Sequence, residues 1–235
     1  MHIAEQTERD GEAAKGSAAT RSDVAYTELK RRVLDNEFPV GSFFLEQELA
    51  DLLNMSRTPI REALVRLANE GLVEIRRRHG MRVLPISGQD MRDIYAILTS
   101  LEADVAAEVT RRGLSADEIA TLRQSVDDME AALQNDDLQA WADADARFHR
   151  DLVGASSNRR LRSVIEQYWE QAHRVRMLTL RLRPKPVQST REHHDLIDAI
   201  EAGEPERAWQ IHRTHRERAA DMLAGILSSH GLTSL

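Results

Sequence analysis

A series of segments with helical periodicity constrains this chain more than any other feature. After Gly88, apolar side chains recur with the period of about 3.6 residues that places them on one face of an α-helix. The repeat is interrupted only by short groups of glycine, proline, asparagine and serine, which end helices and form turns. The sequence therefore predicts six helices packed as an antiparallel bundle. The predicted helices cover residues 89–112, 115–135, 137–155, 159–182, 188–202 and 205–228.

The composition agrees with a mostly α protein and excludes several classes of protein. Aromatic residues make up 4% of the chain and hydrophobic residues 41%, which is enough for a substantial core. The chain has no cysteine, so disulfides, zinc ribbons and cysteine nucleophiles are excluded. Neither a membrane-spanning apolar run nor the apolar core of a signal peptide is present, so we expect no membrane association and a cytoplasmic location.

The part of the chain before residue 86 combines helices with a predicted hairpin. A helix over 24–36 and a short helix over 46–53 lead into a tight turn and a third helix that begins after Ser56. A serine hydroxyl suits the N-cap of that helix, and Gly71 suits its end. Two short β-branched runs around a glycine-containing turn then predict a hairpin over 72–84. Helix, short helix, turn, capped helix and hairpin is the order found in a winged helix-turn-helix.

These signals divide the chain into four parts. Residues 1–21 are polar and lack apolar periodicity, so we expect a disordered tail. Residues 22–85 form the predicted winged helix-turn-helix, and residues 86–88 form a linker. Residues 89–235 form the predicted all-helical domain.

Positive charge is concentrated in the predicted helix-turn-helix, although the whole chain has a net charge of −7. Between Arg57 and Arg82, seven arginines stand against three glutamates. Arg57 and Arg61 are four residues apart, so both project from one face of the third helix, where arginine can bond guanine in the major groove. A run of arginines is more often a solvated surface, but its coincidence with a complete helix-turn-helix pattern favours double-stranded DNA as the partner.

Polar residues interrupt the apolar faces of three of the later helices. Asp145 and His149 lie at the centre of the apolar face of one helix, His193 lies on that of a second, and His215 lies on that of a third, with His212 less well placed. A single inward histidine is usually a hydrogen-bonded core residue, and that interpretation remains open for each. A buried carboxylate one turn from a histidine requires a partner. One carboxylate and three imidazoles suit a divalent transition metal, with zinc preferred over nickel, manganese or iron.

The segment LEQELADLLNMSRTPIREALVRLANEGLVEIRRRHG, residues 45–80, closely resembles the GntR family of bacterial transcription regulators. The resemblance implies that Ser56, Arg57 and Arg61 contact the operator. It also implies contacts from the hairpin residues His79 and Gly80.

Further side chains belong to the expected interface by their position. Gln47 stands where members of the family often have an arginine, so one contact is expected to differ, and Thr58 follows Arg57 at the start of the third helix. Our own candidates for phosphate contacts are Arg66, Arg76, Arg77 and Arg78.

The segments DARFHRDLVGASSN and EHHDLIDAIEAGEPERAW resemble the FCD effector domain of the FadR-type subgroup of GntR regulators. Six helices rather than seven resemble its shorter, VanR-type variant. Glu102 matches the domain's first helix, but Leu98 stands where an arginine is common, so a contact to the effector is expected to be missing or the ligand class to differ. The resemblance implies the metal ligands Asp145, His149, His193 and His215.

Together these features predict a ligand-responsive transcription regulator, with a repressor preferred. A homodimer would read two half-sites of a near-palindromic operator, and a small carboxylate bound at the metal would release it. Arg176 and Thr179 are the candidates to hold the far end of that effector, although a surface position for Arg176 is equally compatible with the sequence. The alternatives are a metalloregulator that senses the ion itself and, less favoured, a metal-dependent hydrolase.

Overall fold

A computed structural model describes residues 19–76 and 80–229 of the chain. The first part contains α1 (Arg21–Leu34), β1 (Phe43–Phe44), α2 (Glu46–Leu52), α3 (Arg57–Asn69), β2 (Val73–Arg76) and β3 (Gly80–Val83). The second part contains α4 (Gly88–Arg112), α5 (Ala116–Gln134), α6 (Leu138–Gly154), α7 (Arg159–Thr179), α8 (Val187–Glu201) and α9 (Pro205–Ser229). No helix within the described ranges is long and apolar enough to cross a membrane.

The helix-turn-helix unit, α1–α3 with β1–β3, has its own buried core. Leu29, Leu49, Ile60 and Leu64 from its three helices are each 1% exposed or less. The predicted hairpin forms from β2 and β3, and the sheet gains a third strand because β1 pairs antiparallel with β3. The sequence did not predict β1, since a strand of two residues is too short to show alternation.

The helical bundle, α4–α9, contains the six helices that the sequence predicts. In it, α4 lies along α9 and α5 lies along α6, while α8 contacts both α5 and α9. The core is mainly apolar, and near its centre side chains of α4, α6, α8 and α9 bring carboxylate and imidazole groups together. This mostly helical architecture confirms the predicted fold class.

Helix ends differ from the predictions where local hydrogen bonds decide them. Thr20 and Asp23 form a capping box, so α1 begins at Arg21 rather than at residue 24. Ser87 forms another capping box, and α4 therefore begins at Gly88, inside the predicted linker. The α-helical part of α7 ends at Thr179 and continues as one 3-10 turn, Leu180–Leu182. Of the predicted disordered tail, residues 1–18 lie outside the described part of the chain.

Gly80, one of the expected DNA contacts, has a structural requirement of its own. Its φ is +75°, and a Cβ at this position would lie 2.1 Å from the carbonyl oxygen of Phe44 in the neighbouring strand. Gly71 has a φ of +73° but has open space around it. Substitution of Gly71 therefore tests backbone strain alone, whereas substitution of Gly80 tests backbone strain together with a steric clash.

We expect Gly80→Ala to lower the free energy of unfolding by about 3 kcal/mol or more, because strain and clash act together. Gly71→Ala is the matched control and should lose only about 1–2 kcal/mol, the cost of a left-handed backbone. Urea unfolding of the full chain, followed by circular dichroism, measures both losses. Equal losses for the two variants would show that the contact with β1 is unimportant.

Candidate functional site

Four polar side chains meet at the centre of the helical bundle. They form the ligand cluster: Asp145 and His149 on α6, His193 on α8 and His215 on α9. All four are 5% exposed or less, and the ligand atoms of the three histidines lie within 4.8 Å of one another.

The spacing within the ligand cluster matches that of donors around one metal ion. The Nε2 atoms of His149 and His193 are 3.3 Å apart, and Oδ1 of Asp145 lies 3.6 Å from each of them. Ligand atoms that each lie about 2.0–2.1 Å from a tetrahedral zinc ion are themselves separated by about 3.3–3.4 Å. The structure thus brings the three proposed histidine ligands together and places Asp145 beside two of them.

A second group of polar atoms orients the imidazole rings. Nδ1 of His193 lies 2.6 Å from the carbonyl oxygen of Ser189, and Nδ1 of His215 lies 2.7 Å from Oε2 of Glu192. When Nδ1 is engaged in this way, Nε2 remains free to bind an ion. Nδ1 of His149 is buried, makes no hydrogen bond within the described residues, and lies 3.5 Å from Glu102.

Burial and nearby charges shift the pKa values of Asp145, His193 and His215 in the direction that metal binding requires. Burial alone would raise the pKa of Asp145, but attraction to His149 and Arg176 holds it well below its ordinary value. Burial lowers the pKa of His193 well below its usual value, and burial also lowers that of His215. Near neutral pH the carboxylate is therefore ionised and these two imidazoles are neutral, as metal binding requires.

A buried salt-bridge network lies beside the ligand cluster, and the sequence did not predict it. The fully buried carboxylate of Glu102 accepts hydrogen bonds from Nε and Nη2 of Arg216, the former at 2.9 Å. It also lies 3.1 Å from Nε2 of His212 and accepts a hydrogen bond from the indole of Trp169. Arg216 of α9 thus provides a guanidinium group beside Glu102, although α4 has Leu98 where an arginine is common. His212 faces inward to reach Glu102, and these two side chains form with His149 a second group of potential ligand atoms within 4.8 Å of one another.

A cavity of about 190 Å³ opens beside the ligand cluster. Asp145, His149 and His215 line it, together with arginines from α7, α9 and the segment before α8. Arg176 lies in this wall and donates a hydrogen bond to Oδ2 of Asp145 at 3.1 Å, so it is not a surface side chain. The cavity is the space in which a small molecule would reach an ion held by the ligand cluster.

Thr179, the second residue proposed for effector binding, does not line this cavity. Its side chain is fully buried, and its hydroxyl donates to the carbonyl oxygen of Val175 at 2.8 Å. A threonine inside a helix commonly bonds the carbonyl four residues earlier, which leaves its hydroxyl turned back along the helix. Arg183 lines the cavity instead and was not identified from the sequence, because it lies in a loop without periodicity.

The start of α3 presents two exposed arginines. The side chains of Arg57 and Arg61 are 57% and 63% exposed. Both bond the carboxylate of Glu46 on α2, at 3.0 Å for Arg57 and 2.7 Å for Nη2 of Arg61. Glu46 therefore holds the two guanidinium groups side by side on the surface that the sequence assigns to DNA.

The remaining proposed DNA contacts are placed as follows. Gln47, Ser56 and Thr58 are exposed near the same helix end. Ser56 occupies the N-cap position of α3 as predicted, but its hydroxyl makes no capping hydrogen bond. Arg66 pairs with Asp23 at 2.8 Å and stacks 3.6 Å from the ring centre of Tyr26, while Arg77, Arg78 and His79 lie outside the described residues.

This combination of a helix-turn-helix unit and a helical bundle with a buried polar cavity defines a class of transcription regulator. The model of the FCD domain matches residues 93–218, and that of the bacterial regulatory proteins of the gntR family matches residues 21–83. The chain belongs to the GntR family of bacterial transcription regulators and carries an FCD domain. The resemblance proposed from the sequence is thereby confirmed.

Several known proteins are similar over most of their length. An uncharacterized HTH-type transcriptional regulator in the TAR-I ttuE-ttuC′ intergenic region of Agrobacterium vitis is 37% identical over 60% of this chain and 84% of its own. A probable D-xylose utilization operon transcriptional repressor of Paenarthrobacter nicotinovorans is 29% identical, covering 75% and 76%. The structure of McbR/YncC from E. coli superposes with a TM-score of 0.75 at 19% identity, covering 88% and 98%. These relatives are regulators, and the expectation that the chain is not an enzyme is confirmed.

We expect His193→Ala to abolish stoichiometric zinc binding, since it removes one of the ligand cluster's buried donors. His194→Ala is the matched control, because the neighbouring His194 is more exposed and faces Glu130 at 2.8 Å. Elemental analysis of the two purified variants after zinc loading measures the difference. Retention of zinc by His193→Ala, or its loss from His194→Ala, would contradict the assignment.

For the DNA surface, we expect Arg57→Ala and Arg61→Ala each to weaken binding to an operator selected from random duplexes. The loss should be about 1–3 kcal/mol for each base contact removed. Arg147→Ala controls for the change in net charge, because Arg147 is an exposed arginine of the helical bundle. Gel-shift titrations measure all three, and wild-type affinity in both α3 variants would exclude this surface as the reader of DNA.

Proposed function

We propose that this GntR-family regulator is a repressor that a small carboxylate releases from its operator by binding beside a metal ion in the helical bundle. The observation that carries the proposal is the position of the ligand cluster, three of whose donors, Asp145, His149 and His215, border a cavity with arginine side chains in its wall. Asp145 is the only acidic residue lining that cavity among the described residues, so the wall favours an anionic ligand.

The chemistry of the donors supports a transition metal. Three imidazoles and one carboxylate suit zinc first and nickel, manganese or iron as alternatives, whereas calcium and magnesium prefer more oxygen ligands. Four protein ligands leave coordination positions that an effector carboxylate can occupy on a five- or six-coordinate ion. An ion held there supplies a fixed positive charge to which the carboxylate is anchored.

On the DNA side, we propose that two chains associate as a homodimer and read two half-sites of a near-palindrome. Arg57 and Arg61 would contact base edges, with Ser56, Thr58 and Gln47 beside them. The hairpin residues of the wing would contact the adjacent backbone. Repression is supported by the relatives that are named as repressors. We also propose a cytoplasmic location, because the operator DNA of a bacterium lies in the cytoplasm.

Helix α7 offers a physical connection between the cavity and the DNA-binding surface. Arg176, near its C-terminal end, contacts the ligand cluster. Earlier on the same helix, Gln171 donates to the carbonyl oxygen of Glu70 at 3.0 Å and Arg174 donates to that of Leu84 at 2.7 Å. A ligand that displaces Arg176 would therefore act on a helix that also holds the helix-turn-helix unit, which is how two distant sites share a coupling energy.

The proposal predicts the order in which additions act on the DNA complex. Zinc alone should raise the melting temperature of the protein without releasing the operator, because it binds the folded bundle. A panel of small carboxylates added to the zinc-loaded protein should contain members that weaken operator affinity about 5- to 150-fold. Thermal shift and gel shift measure the two effects, and His193→Ala should lose the response to acid.

Two other outcomes would replace the proposal. If zinc alone releases the operator and no acid adds anything, the chain is a metalloregulator that senses the ion. If acids bind to the zinc-loaded protein but leave operator affinity unchanged, the bundle is not coupled to the helix-turn-helix unit.

A further inference from the structure

We propose that Arg183 binds a second carboxylate of the effector, so that the preferred ligand is a short dicarboxylate rather than a monocarboxylate. This inference rests on the proposed function, because it takes the ligand cluster as the place where the first carboxylate binds. It concerns a residue outside the ligand cluster, in the segment that joins the 3-10 turn to α8.

The hydrogen bonds of Arg183 are incomplete. Its Nη2 donates to the carbonyl oxygen of Arg176 at 3.0 Å, which fixes the side chain in the cavity wall. Its Nε is buried and has no hydrogen-bond partner within the described residues. A buried donor without a partner is unfavourable, and a ligand that accepts from it would remove that cost.

The other arginines of the cavity are each engaged by a carboxylate. Arg176 bonds Asp145 at 3.1 Å. Arg216 is bound to Glu102, and Arg218 lies against Glu192 at 2.5 Å. No such ion pair forms at Arg183 in the described part of the chain, so no carboxylate bonds its guanidinium directly.

Electrostatics also favours an anion at this position. Burial, and then the nearby charge of Arg176, lower the pKa of Arg183, which measures how unfavourable its charge is without a counter-ion. A guanidinium nevertheless stays charged near neutral pH. A carboxylate accepts two hydrogen bonds from such a planar fork and neutralises its charge.

The cavity limits the length of the ligand. It measures about 190 Å³, and the ligand cluster and Arg183 both line it. A ligand with one carboxylate at each end can satisfy both places only if it is short. A monocarboxylate of equal length would leave an apolar end against the guanidinium, without replacing the missing hydrogen bond.

The test compares two acids that differ in one group. Malate and 2-hydroxybutyrate share the carboxylate and hydroxyl that chelate an ion, but malate carries a distal carboxylate where 2-hydroxybutyrate has a methyl group. Isothermal titration of the zinc-loaded full chain should show that malate binds about 10- to 100-fold more tightly. In Arg183→Gln this preference should disappear, with zinc content unchanged.

The control is Arg181→Gln, which removes an exposed arginine two residues away that does not line the cavity. It should keep the wild-type preference for malate. Arg183→Lys keeps the charge but not the fork, so it should retain only part of the preference.

The outcomes separate this inference from the function on which it rests. Equal binding of the two acids by the wild-type protein, or an unchanged preference in Arg183→Gln, would overturn the role of Arg183 and leave the acid-responsive regulator intact. If neither acid nor any other small carboxylate binds the zinc-loaded protein, the proposed function fails and the role of Arg183 fails with it.

Discussion

The burial of a carboxylate among three imidazoles constrains how the helices of the bundle pack. An isolated ionised group in an apolar core is costly, so each member of the ligand cluster needs an opposite charge or a hydrogen-bond partner. Arg176 provides this for Asp145, and Ser189 and Glu192 provide it for two of the imidazoles. These partners come from α7 and α8, so the polar centre fixes how those helices pack around α6 and α9.

A second buried carboxylate, that of Glu102, also has partners of opposite charge and hydrogen-bond donors around it. Glu102 is enclosed completely, yet the guanidinium of Arg216 and the side chains of His212 and Trp169 satisfy its oxygens. Removing one partner of such a pair costs far more than the pair contributes, because the other charge is left alone in the core. The network therefore fixes the register of α4 against α9 beside the ligand cluster.

Polar contacts join the helix-turn-helix unit to α7 of the helical bundle. Lys30 of α1 bridges Glu70, at the C-terminal end of α3, and Glu170 of α7 at 2.9 and 2.5 Å, next to the bonds that Gln171 and Arg174 make. Contacts made by charged groups and backbone carbonyls are easier to rearrange than a large apolar interface. That property suits a helix that has to report the state of the cavity to the DNA-binding surface.

The sequence by itself determined the helices, the hairpin, and the inward faces that carry Asp145, His149, His193 and His215, because helical periodicity and turn residues are local signals. The tertiary structure decided which buried charges meet. In the folded chain the hydroxyl of Thr179 bonds its own helix, and Arg216 bonds Glu102 although the two residues are distant in sequence. Arg183, which lies in a loop, lines the cavity. Loops lack the hydrophobic periodicity from which a side chain's direction can be predicted. Contacts between residues more than a hundred positions apart are determined only by the packing of the whole bundle.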